Sequence, residues 1–311
     1  MRKIWLYAGI SKYLELVIDF GFYSVHTDLM PKFVTYNASS VDDQQATLHL
    51  QESPQRLYAK YPKREDITSD EATLLGILYT DGCLSKKTKN CWRFYLSNTS
   101  FEIIQAFRAC MMKLFGLSIE RVRISEKTVN GKPFYKAVVD SGYCGNIMTA
   151  KYGTFRTLAF KTEGGGEIYP SAKLPFTNQT KTKILFNFLK AAFSCDGGVN
   201  LYVGKTKKGY RFLVRNVFLS CKHPQLQKDY QYLLKILDIN SKLLIKDNKI
   251  RIQRRENLEM FYKKIGFING VKITQHSAYW QGWGKNKVLK LALSSYGNAD
   301  KVFNLPQFCL G

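Results

Sequence analysis

The sequence predicts an α+β protein made of two copies of one unit, each with the element order αββαββα. The nonapeptide LLGILYTDG at residues 74–82 has a second copy, LKAAFSCDG, at residues 189–197. Each copy is an apolar helical run that ends in one carboxylate and one glycine. A single Asp-Gly pair after a helix is common, but two in matched contexts, a domain length apart, indicate a duplicated unit that brings Asp81 and Asp196 together.

Length and charge predict three parts in the chain. Residues 1–60 form an N-terminal extension with six Lys/Arg and six Asp/Glu, in which one short amphipathic helix is expected near residues 10–20. Residues 61–172 hold the first copy and residues 173–311 the second, with a glycine-containing linker at 161–173. A chain of 311 residues is long enough for two domains of ordinary size.

Each copy begins with one of the two motif helices. Thr68 or Ser69 can cap the first of them. Gly82 and Gly197 are expected to end the helices in the left-handed conformation that glycine adopts without strain. Small residues recur at four-residue spacing, as Ala72, Gly76 and Thr80 in the first helix and as Asn187, Ala191 and Cys195 in the second. Such stripes let helix backbones approach closely, so the motif helices are predicted to pack against each other.

The remaining elements are predicted in the same order in both copies. The first copy has strands at 83–85 and 92–97, a helix at 101–115, and a hairpin of 119–125 with 134–140. The second has strands at 199–204 and 210–220, a helix at 224–237, and a hairpin of 242–246 with 249–254. Apolar and basic residues alternate along these hairpins. The pattern predicts two antiparallel sheets with helices on one side and a concave basic surface on the other.

The net charge of +23 is the strongest signal in the composition. All of the excess lies in residues 61–311, which contain 41 basic and 18 acidic residues, and residues 197–228 contain no acid. A folded region this basic is expected to bind polyanions, and nucleic acid is the first candidate. No run approaches the ~18–20 apolar residues that a membrane span requires, so no membrane partner is expected.

The candidate DNA contacts are basic and amide side chains of the predicted hairpins and turns. Two-stranded ribbons fit the DNA major groove, where Arg and Gln suit base edges and lysines suit phosphates. The candidates are Lys86, Lys89, Arg93, Arg121, Arg123, Lys136, Lys205, Lys207, Lys208, Arg211, Arg215, Lys246, Lys249, Arg251, Gln253 and Arg254.

Two carboxylates that face a polyanion require cations between them. Mg²⁺ is suited to this position because it takes carboxylate, water and phosphate oxygens as ligands. It would activate water and neutralise the leaving oxygen in phosphodiester hydrolysis. With one acid from each copy, each acid could serve one strand of a duplex.

The seven cysteines are widely spaced, odd in number and without a C-x-x-C pair. They are predicted to be reduced thiols of an intracellular protein rather than disulfides or zinc ligands. Glu15 and Asp19 interrupt the basic, apolar start of the chain, so no secretion signal is expected. An archaeal cytoplasm and an organelle both stay open as locations.

The two motifs, the αββαββα order of each copy and the closing segment at 270–289 resemble the LAGLIDADG homing endonucleases in their single-chain form. The resemblance covers about residues 65–300. It implies two saddle-shaped sheets with the motif helices packed at the interface, in an intron-encoded enzyme that acts as a monomer. It also implies site-specific cleavage of a long double-stranded DNA target across the minor groove, which leaves short 3′ overhangs.

The resemblance further implies roles for the motif residues. Asp81 and Asp196 would be the catalytic metal ligands, and the backbone carbonyls of Thr80 and Cys195 would also touch metal. Mg²⁺ or Mn²⁺ would support cleavage, whereas Ca²⁺ would bind without supporting it. The small motif residues are expected to be structural, namely Gly76, Gly82, Ala191 and Gly197.

The family also places a basic residue near the scissile phosphates. Lys173 and Lys272 are the candidates for this auxiliary role. Two alternatives stay open on the same scaffold: a maturase that binds host intron RNA, and a transcription regulator that binds DNA without cutting it. Retention of both Asp81 and Asp196 favours a working nuclease.

Overall fold

The computed structural model of the chain describes residues 66–274, 277 and 279–298, with strands β1 (Val25–Thr27) and β2 (Met30–Lys32). The predicted helix near residues 10–20 lies outside the described residues. In this part of the chain no helix has the length and apolar composition needed to cross a membrane. Two compact units are formed, one of Met1–Asp66, Ser85–Arg93 and Asp140–Lys151, the other of Ile67–Leu84, Phe94–Val139 and Tyr152–Gly311. The three sequence-based parts stay a prediction.

The element order αββαββα occurs twice, as predicted. The first copy contains α1 (Ser69–Leu78), β3 (Gly82–Thr88), β4 (Cys91–Asn98), α2 (Phe101–Phe115), β5 (Arg123–Val129), β6 (Lys132–Asp140) and α3 (Gly142–Tyr152). The second contains α4 (Thr182–Asp196), β9 (Gly197–Lys205), β10 (Arg211–Ser220), α5 (Pro224–Ile236), β11 (Ser241–Leu244), β12 (Lys249–Ile252) and α6 (Arg255–Lys264). Strands β7 (Phe160–Lys161) and β8 (Glu167–Ile168) lie between the copies, and α7 (Lys285–Ser294) follows them.

The two four-stranded sheets have the same topology. Their strand orders are β3-β4-β6-β5 and β9-β10-β12-β11, so the third and fourth strands exchange places in both copies. Strand β5 pairs antiparallel with β6, and in the second sheet β9 pairs antiparallel with β10, β10 with β12, and β12 with β11. The repeated order and the repeated topology confirm the predicted fold class.

Local chemistry explains where several elements begin and end. Helix α1 starts with a capping box, in which the Glu71 amide donates to Thr68 Oγ1 and the Thr68 amide donates to the Glu71 carboxylate, both at 3.2 Å. Asn130 and Gly131 both have positive φ, 52° and 73°, as the tight turn between β5 and β6 requires. Hairpin register is therefore fixed by two residues.

The motif glycines are required for a different reason from the one predicted. Neither Gly82 nor Gly197 is left-handed, and Gly197 is extended, with φ −100°. Both glycines instead begin the first strand of their sheets, against the preceding helix. A Cβ on Gly197 would lie 2.5 Å from the Phe193 carbonyl oxygen, and one on Gly82 would lie 2.9 Å from the Ile77 carbonyl oxygen. Space, and not backbone conformation, excludes a side chain.

Two predicted hairpins have different strand limits from those that their sequence alternation indicated: the first is shifted toward its turn and the second is shorter. Arg121 belongs to a 3₁₀ turn, Ile119–Arg121, and β5 starts two residues later. Lys246 likewise belongs to the 3₁₀ turn Ile245–Asp247. Both side chains therefore lie off the strands on which they were expected.

Helices α1 and α4 cross in the second unit with almost no space between their backbones. A Cβ built on Gly76 would lie 2.5 Å from the Phe188 carbonyl oxygen and 2.8 Å from the Ala191 Cβ. The flanking side chains Leu75, Ile77, Phe188 and Ala192 are fully buried. The small-residue stripes thus produce the close crossing that the sequence predicted.

Replacing Gly76 by alanine is expected to lower the free energy of unfolding by about 1–3 kcal/mol, the usual cost of overpacking. Alanine favours an exposed helix by about 1 kcal/mol over glycine. The clash outweighs this gain because the opposing atom is a backbone oxygen of a buried helix. Urea unfolding of G76A and of the matched control Gly164→Ala, where an added Cβ meets nothing within 4 Å, measures the difference. Equal stabilities would contradict the crossing.

The end of the predicted linker is packed rather than loose. Phe176 packs on Phe188 of α4, with ring centroids 4.6 Å apart. Three hydrogen bonds hold the segment at 170–174: Tyr79 Oη to the Lys173 carbonyl at 3.1 Å, the Leu174 amide to Asp229 Oδ2 at 3.0 Å, and His223 Nε2 to the Pro170 carbonyl at 2.7 Å. This connector is anchored to α1, through its C-cap residue Tyr79, and to α5.

Candidate active site

The crossing of α1 and α4 brings the carboxyl groups of Asp81 and Asp196 close enough for each to change the pKa of the other. Asp196 is the last residue of α4, and Asp81 lies just beyond Tyr79, the C-cap of α1. Two acids that are far apart in the sequence therefore meet at the C-terminal ends of two packed helices. The partial negative charge of a helix C-terminus favours cations, so the backbone adds to the attraction of the two carboxylates.

Burial dominates the electrostatics of this acid pair. It raises the pKa of Asp196 to about 7, and the charge of Asp81 adds to the rise. It also raises the pKa of Asp81, against the opposing effects of Lys285 and of Asn98, whose Nδ2 donates to Asp81 Oδ2 at 2.6 Å. Like charges in a buried site favour protonation of one member. A cation at the pair would remove that penalty.

Lys285, the first residue of α7, supplies a buried positive charge beside the acids. Its side chain is 6% exposed, and Nζ donates to the carbonyl oxygens of Ser194 at 2.6 Å and Gly197 at 2.7 Å. These two carbonyls flank Cys195 and Asp196 in the chain. Burial lowers the pKa of Lys285 to about 8, while Cys195, Asp81 and Asp196 oppose the decrease. Lys285 therefore fixes the end of α4 and partly neutralises the pair.

Lys285 is not among the site residues predicted from the sequence, although the sequence carries a signal for its burial. Lys285, Val288, Leu289 and Ala292 are the buried residues of α7 and recur at helical spacing. A lysine on such an apolar stripe is unusual because a buried charge needs a partner. The stripe shows that Lys285 is buried, but it does not identify its partners.

A cavity of about 240 Å³ opens beside Asp81. Lys272 and Lys285 both line it, so the structure places the predicted auxiliary Lys272 in the same cavity as an acid. The Lys173 side chain is exposed, and its backbone carbonyl accepts a hydrogen bond from Tyr79 Oη. The cavity is further lined by Ser97, Asn98, Thr99, Ser100, Ile103, Phe134, Ser194, Cys195, Val271 and Thr274.

The residues that precede the acids are held in place. Thr80 Oγ1 donates to the Gly76 carbonyl at 2.7 Å. The Cys195 thiol lies near Asp81 and Thr80, and burial raises its pKa well above the ordinary value. Metal coordination by the carbonyls of Thr80 and Cys195 stays a prediction.

The donor set fits a hard divalent cation. Among the described residues, no cluster of three or more His, Cys, Asp or Glu side chains has the geometry of a metal site. Two carboxylates alone cannot complete the coordination shell of a cation. Mg²⁺ commonly binds to one or two carboxylates and keeps waters and substrate phosphates as its other ligands. The pair is therefore suited to an ion that is shared with a phosphate.

The second sheet has an inner face covered by helices and an outer face away from them. Val199, Leu201, Val217, Leu219, Ile250 and Ile252 form the buried inner face. Arg251 lies opposite Phe218 and Lys249 opposite Ser220, one residue out of phase with the inner set. Arg251 and Lys249 therefore lie on the outer face, where the sequence analysis expected DNA contacts.

Arg215 is not on that face. It shares the inner parity of Val217, and its guanidinium donates to Ser295 Oγ at 2.7 Å and to the Ser295 carbonyl at 2.9 Å. It also stacks on Tyr296, 4.4 Å from the ring centroid. Arg215 thus joins β10 to the end of α7, and the expected alternation with the other cations is wrong for this residue.

Arg93 is engaged within the first unit. Its Nε and Nη2 donate to the two oxygens of Asp140 at 2.8 and 2.9 Å, and Lys87 approaches the same carboxylate at 3.0 Å. The other predicted contacts are exposed, except for the half-buried Arg121, Lys249 and Arg251. The exposed set is Lys86, Lys89, Arg123, Lys136, Lys205, Lys207, Lys208, Arg211, Lys246, Gln253 and Arg254. DNA contact by these residues stays a prediction.

The acid pair and Lys285 predict a characteristic pH dependence of metal-free stability. Folding raises the pKa of Asp196 from 3.8 to about 7, so the folded state binds an extra proton in this window and stability falls as pH rises through it. Folding lowers the pKa of Lys285 from 10.5 to about 8, so stability rises again between those values. The slope approaches ~1.4 kcal/mol per pH unit for each group.

Urea unfolding in the presence of a chelator, between pH 5 and 10, measures this profile. The contribution of Asp196 and Lys285 to the free energy of unfolding should be lowest near pH 7–8. Asp196→Asn should reduce the decline below pH 7, leaving only the part due to Asp81, and should leave the rise above pH 8. A variant profile parallel to the native one would contradict the assignment.

These features define the class: an α+β protein that contains two copies of one αββαββα arrangement, with an acid pair at the crossing of the two motif helices. Residues 183–266, from α4 to the end of α6, match the family model of the LAGLIDADG-like domain. The resemblance drawn from the sequence is thereby confirmed for the second copy. The matched segment belongs to the second copy, whose motif LKAAFSCDG keeps fewer of the family's signature residues than LLGILYTDG does.

Several solved homing endonucleases are similar in structure. I-DmoI in complex with DNA and Ca is 15% identical over 65% of this chain and 91% of that chain, with a TM-score of 0.41. I-WcaI bound to its DNA recognition sequence is 14% identical over 78% and 100%, with a TM-score of 0.41. An I-SmaMI variant is 12% identical over 79% and 96%, with a TM-score of 0.43. Comparison with curated proteins finds no match.

Proposed function

We propose that the protein is a site-specific double-stranded DNA endonuclease that depends on a divalent metal. The observation that carries the proposal is the meeting of Asp81 and Asp196 at the crossing of α1 and α4. Burying two carboxylates together destabilises the protein unless a cation binds to them. The LAGLIDADG-like match of the second copy supports the same reaction class.

Each residue of the site has a defined task in this proposal. Asp81 and Asp196 would hold the metal, which supplies charge neutralisation at the phosphodiester and a water of lowered pKa. Asn98 fixes the orientation of Asp81 through its 2.6 Å hydrogen bond. Lys285 keeps the end of α4 in position and lowers the repulsion between the acids before metal binds. Lys272, in the cavity beside Asp81, would contact a phosphate oxygen.

The proposed substrate is a duplex, which one chain would cut on both strands to leave short 3′ overhangs. Because each copy contributes one acid, a single protein chain would provide one cleavage site for each DNA strand. The exposed cations of the hairpins supply the electrostatic attraction to phosphates. Solved relatives bound to DNA with Ca and with Mn are consistent with this partner and this type of cofactor.

Selection from a randomised duplex library tests the proposal. With Mg²⁺ we expect double-strand cleavage at one long site, and with Ca²⁺ we expect binding of the same site without cleavage. Sequencing of the ends reports the overhang. Specific binding that is never followed by cleavage, with either Mg²⁺ or Mn²⁺, would identify a non-cleaving DNA-binding protein instead.

A further inference from the structure

The outer face of the second sheet carries an apolar strip among its cations. Tyr202 and Val214 lie directly opposite each other on β9 and β10, and Phe212 lies two residues further, opposite Gly204. Tyr202 is 39% exposed and Phe212 is 46% exposed. We use "apolar strip" for these three side chains. An exposed apolar patch with a polar rim is typical of an interaction site.

Phe212 is held in place by its neighbour. A Cβ on Gly204 would lie 2.7 Å from the Phe212 ring, so the ring packs on the glycine backbone and leaves its other side exposed. Tyr202 and Val214 are a directly paired cross-strand couple, which further orders the strip. The strip is therefore a preformed surface that needs little ordering before it binds a partner.

The charge around the strip selects a polyanion as its partner. The hairpin that carries it continues into Lys205, Lys207 and Lys208, all exposed, and residues 197–228 contain no acidic side chain. A two-stranded ribbon of this kind fits the major groove of B-DNA. The first copy has a different residue at the equivalent position. Lys87 follows Asp81 at the same spacing as Tyr202 follows Asp196, and it forms an ion pair with Asp140 at 3.0 Å.

The major groove offers one apolar group to such a strip. The other base-edge groups displayed there are hydrogen-bond donors and acceptors, whereas thymine adds a C5-methyl group. The Tyr202–Val214 pair and the Phe212–Gly204 pair are two residues apart, or about 7 Å along the strand. That distance corresponds to about two base-pair steps of 3.4 Å.

We propose that Tyr202, Phe212 and Val214 contact thymine methyl groups in the major groove, so that two or three adjacent base pairs of the target are specified by apolar contact. The inference rests on the proposed function and names the substrate feature that this part of the site selects. It predicts a thymine-rich tract on one side of the cleavage position.

The test uses binding, so that it is separate from cleavage. Target duplexes selected in Ca²⁺ should carry thymine at two or three adjacent positions on one side of the centre. Replacing each of those thymines by deoxyuridine removes only the methyl group. We expect affinity to fall about fourfold per methyl, the effect of one buried methylene-sized group.

The link to the strip is tested by variants. In Phe212→Ser and in Val214→Ser, replacement by deoxyuridine should no longer weaken binding at one of the thymine positions, and it should still do so at the others. Phe160→Ser is the matched control because Phe160 is also a strand phenylalanine, 47% exposed, and lies outside the second sheet. The control should keep the full fourfold sensitivity.

Two results would overturn the inference: a selected target without the thymine tract, or deoxyuridine sensitivity that is the same in native protein and in Phe212→Ser. Neither result affects the nuclease proposal, which depends on cleavage in Mg²⁺. Conversely, a thymine-selective duplex binder that never cuts would support the strip and refute the nuclease.

Discussion

Asp81→Asn and Asp196→Asn are each expected to lower double-strand cleavage by about 10³-fold or more while duplex affinity changes little. Metal-based charge stabilisation is worth several kcal/mol, and about 1.4 kcal/mol corresponds to a tenfold change in rate. An amide keeps the volume of the side chain but removes the charge that holds the cation. Cleavage in Mg²⁺ and binding in Ca²⁺, measured on the same duplex, separate the two effects.

Asp238→Asn is the matched control for these variants. Asp238 is exposed and has a φ of 59°, a conformation that asparagine also tolerates. Its cleavage rate and stability should equal those of the native protein. Unchanged cutting by either Asp81→Asn or Asp196→Asn would refute the assignment of the acid pair as the metal site.

Lys285→Met is expected to lower the free energy of unfolding by about 3–5 kcal/mol, the usual cost of removing one partner from a buried charge cluster. Methionine keeps much of the side-chain volume. It leaves the acid pair without its buried cation and the carbonyls of Ser194 and Gly197 without the Nζ donor. Urea unfolding at pH 7 without metal measures the loss.

A double-mutant cycle distinguishes the two causes of that loss. In an Asp196→Asn background, Lys285→Met should cost clearly less, because fewer negative charges lose their counter-ion. The part that persists is due to the unpaired carbonyls. Lys290→Met, at an exposed position of the same helix, is the control and should change stability by less than about 0.5 kcal/mol. An equal cost in both backgrounds would show that Lys285 does not act on the acids.

The element order could be predicted because periodicity reports burial directly. Helix α2 begins at Phe101 and ends at Phe115, as predicted, since its apolar face and the following Gly116 mark both limits. The short polar hairpins were predicted less well. Arg121 and Lys246 follow strand-like alternation in sequence but lie in 3₁₀ turns, because local hydrogen bonding of the backbone decides such short segments.

The candidate site could be predicted only as far as its duplicated motif. The repeat identified Asp81 and Asp196, and the small-residue stripes predicted that their helices meet. Lys285 and Asn98 were missed because their partners depend on tertiary packing, which no local pattern records. Arg215 shows the opposite error: its charge indicated an exposed residue, whereas strand parity directs it toward α7.

The anchored connector limits how such a protein can be recombined. Exchange of one copy for that of a relative would have to retain the hydrogen bonds from residues 170–174 to Tyr79, His223 and Asp229. A graft joined between Pro170 and Lys173 would separate Pro170 from His223 and Lys173 from Tyr79, even if both grafted sheets folded correctly. The Gly164 turn, which is exposed and upstream of every anchor, is the more suitable junction for a chimera.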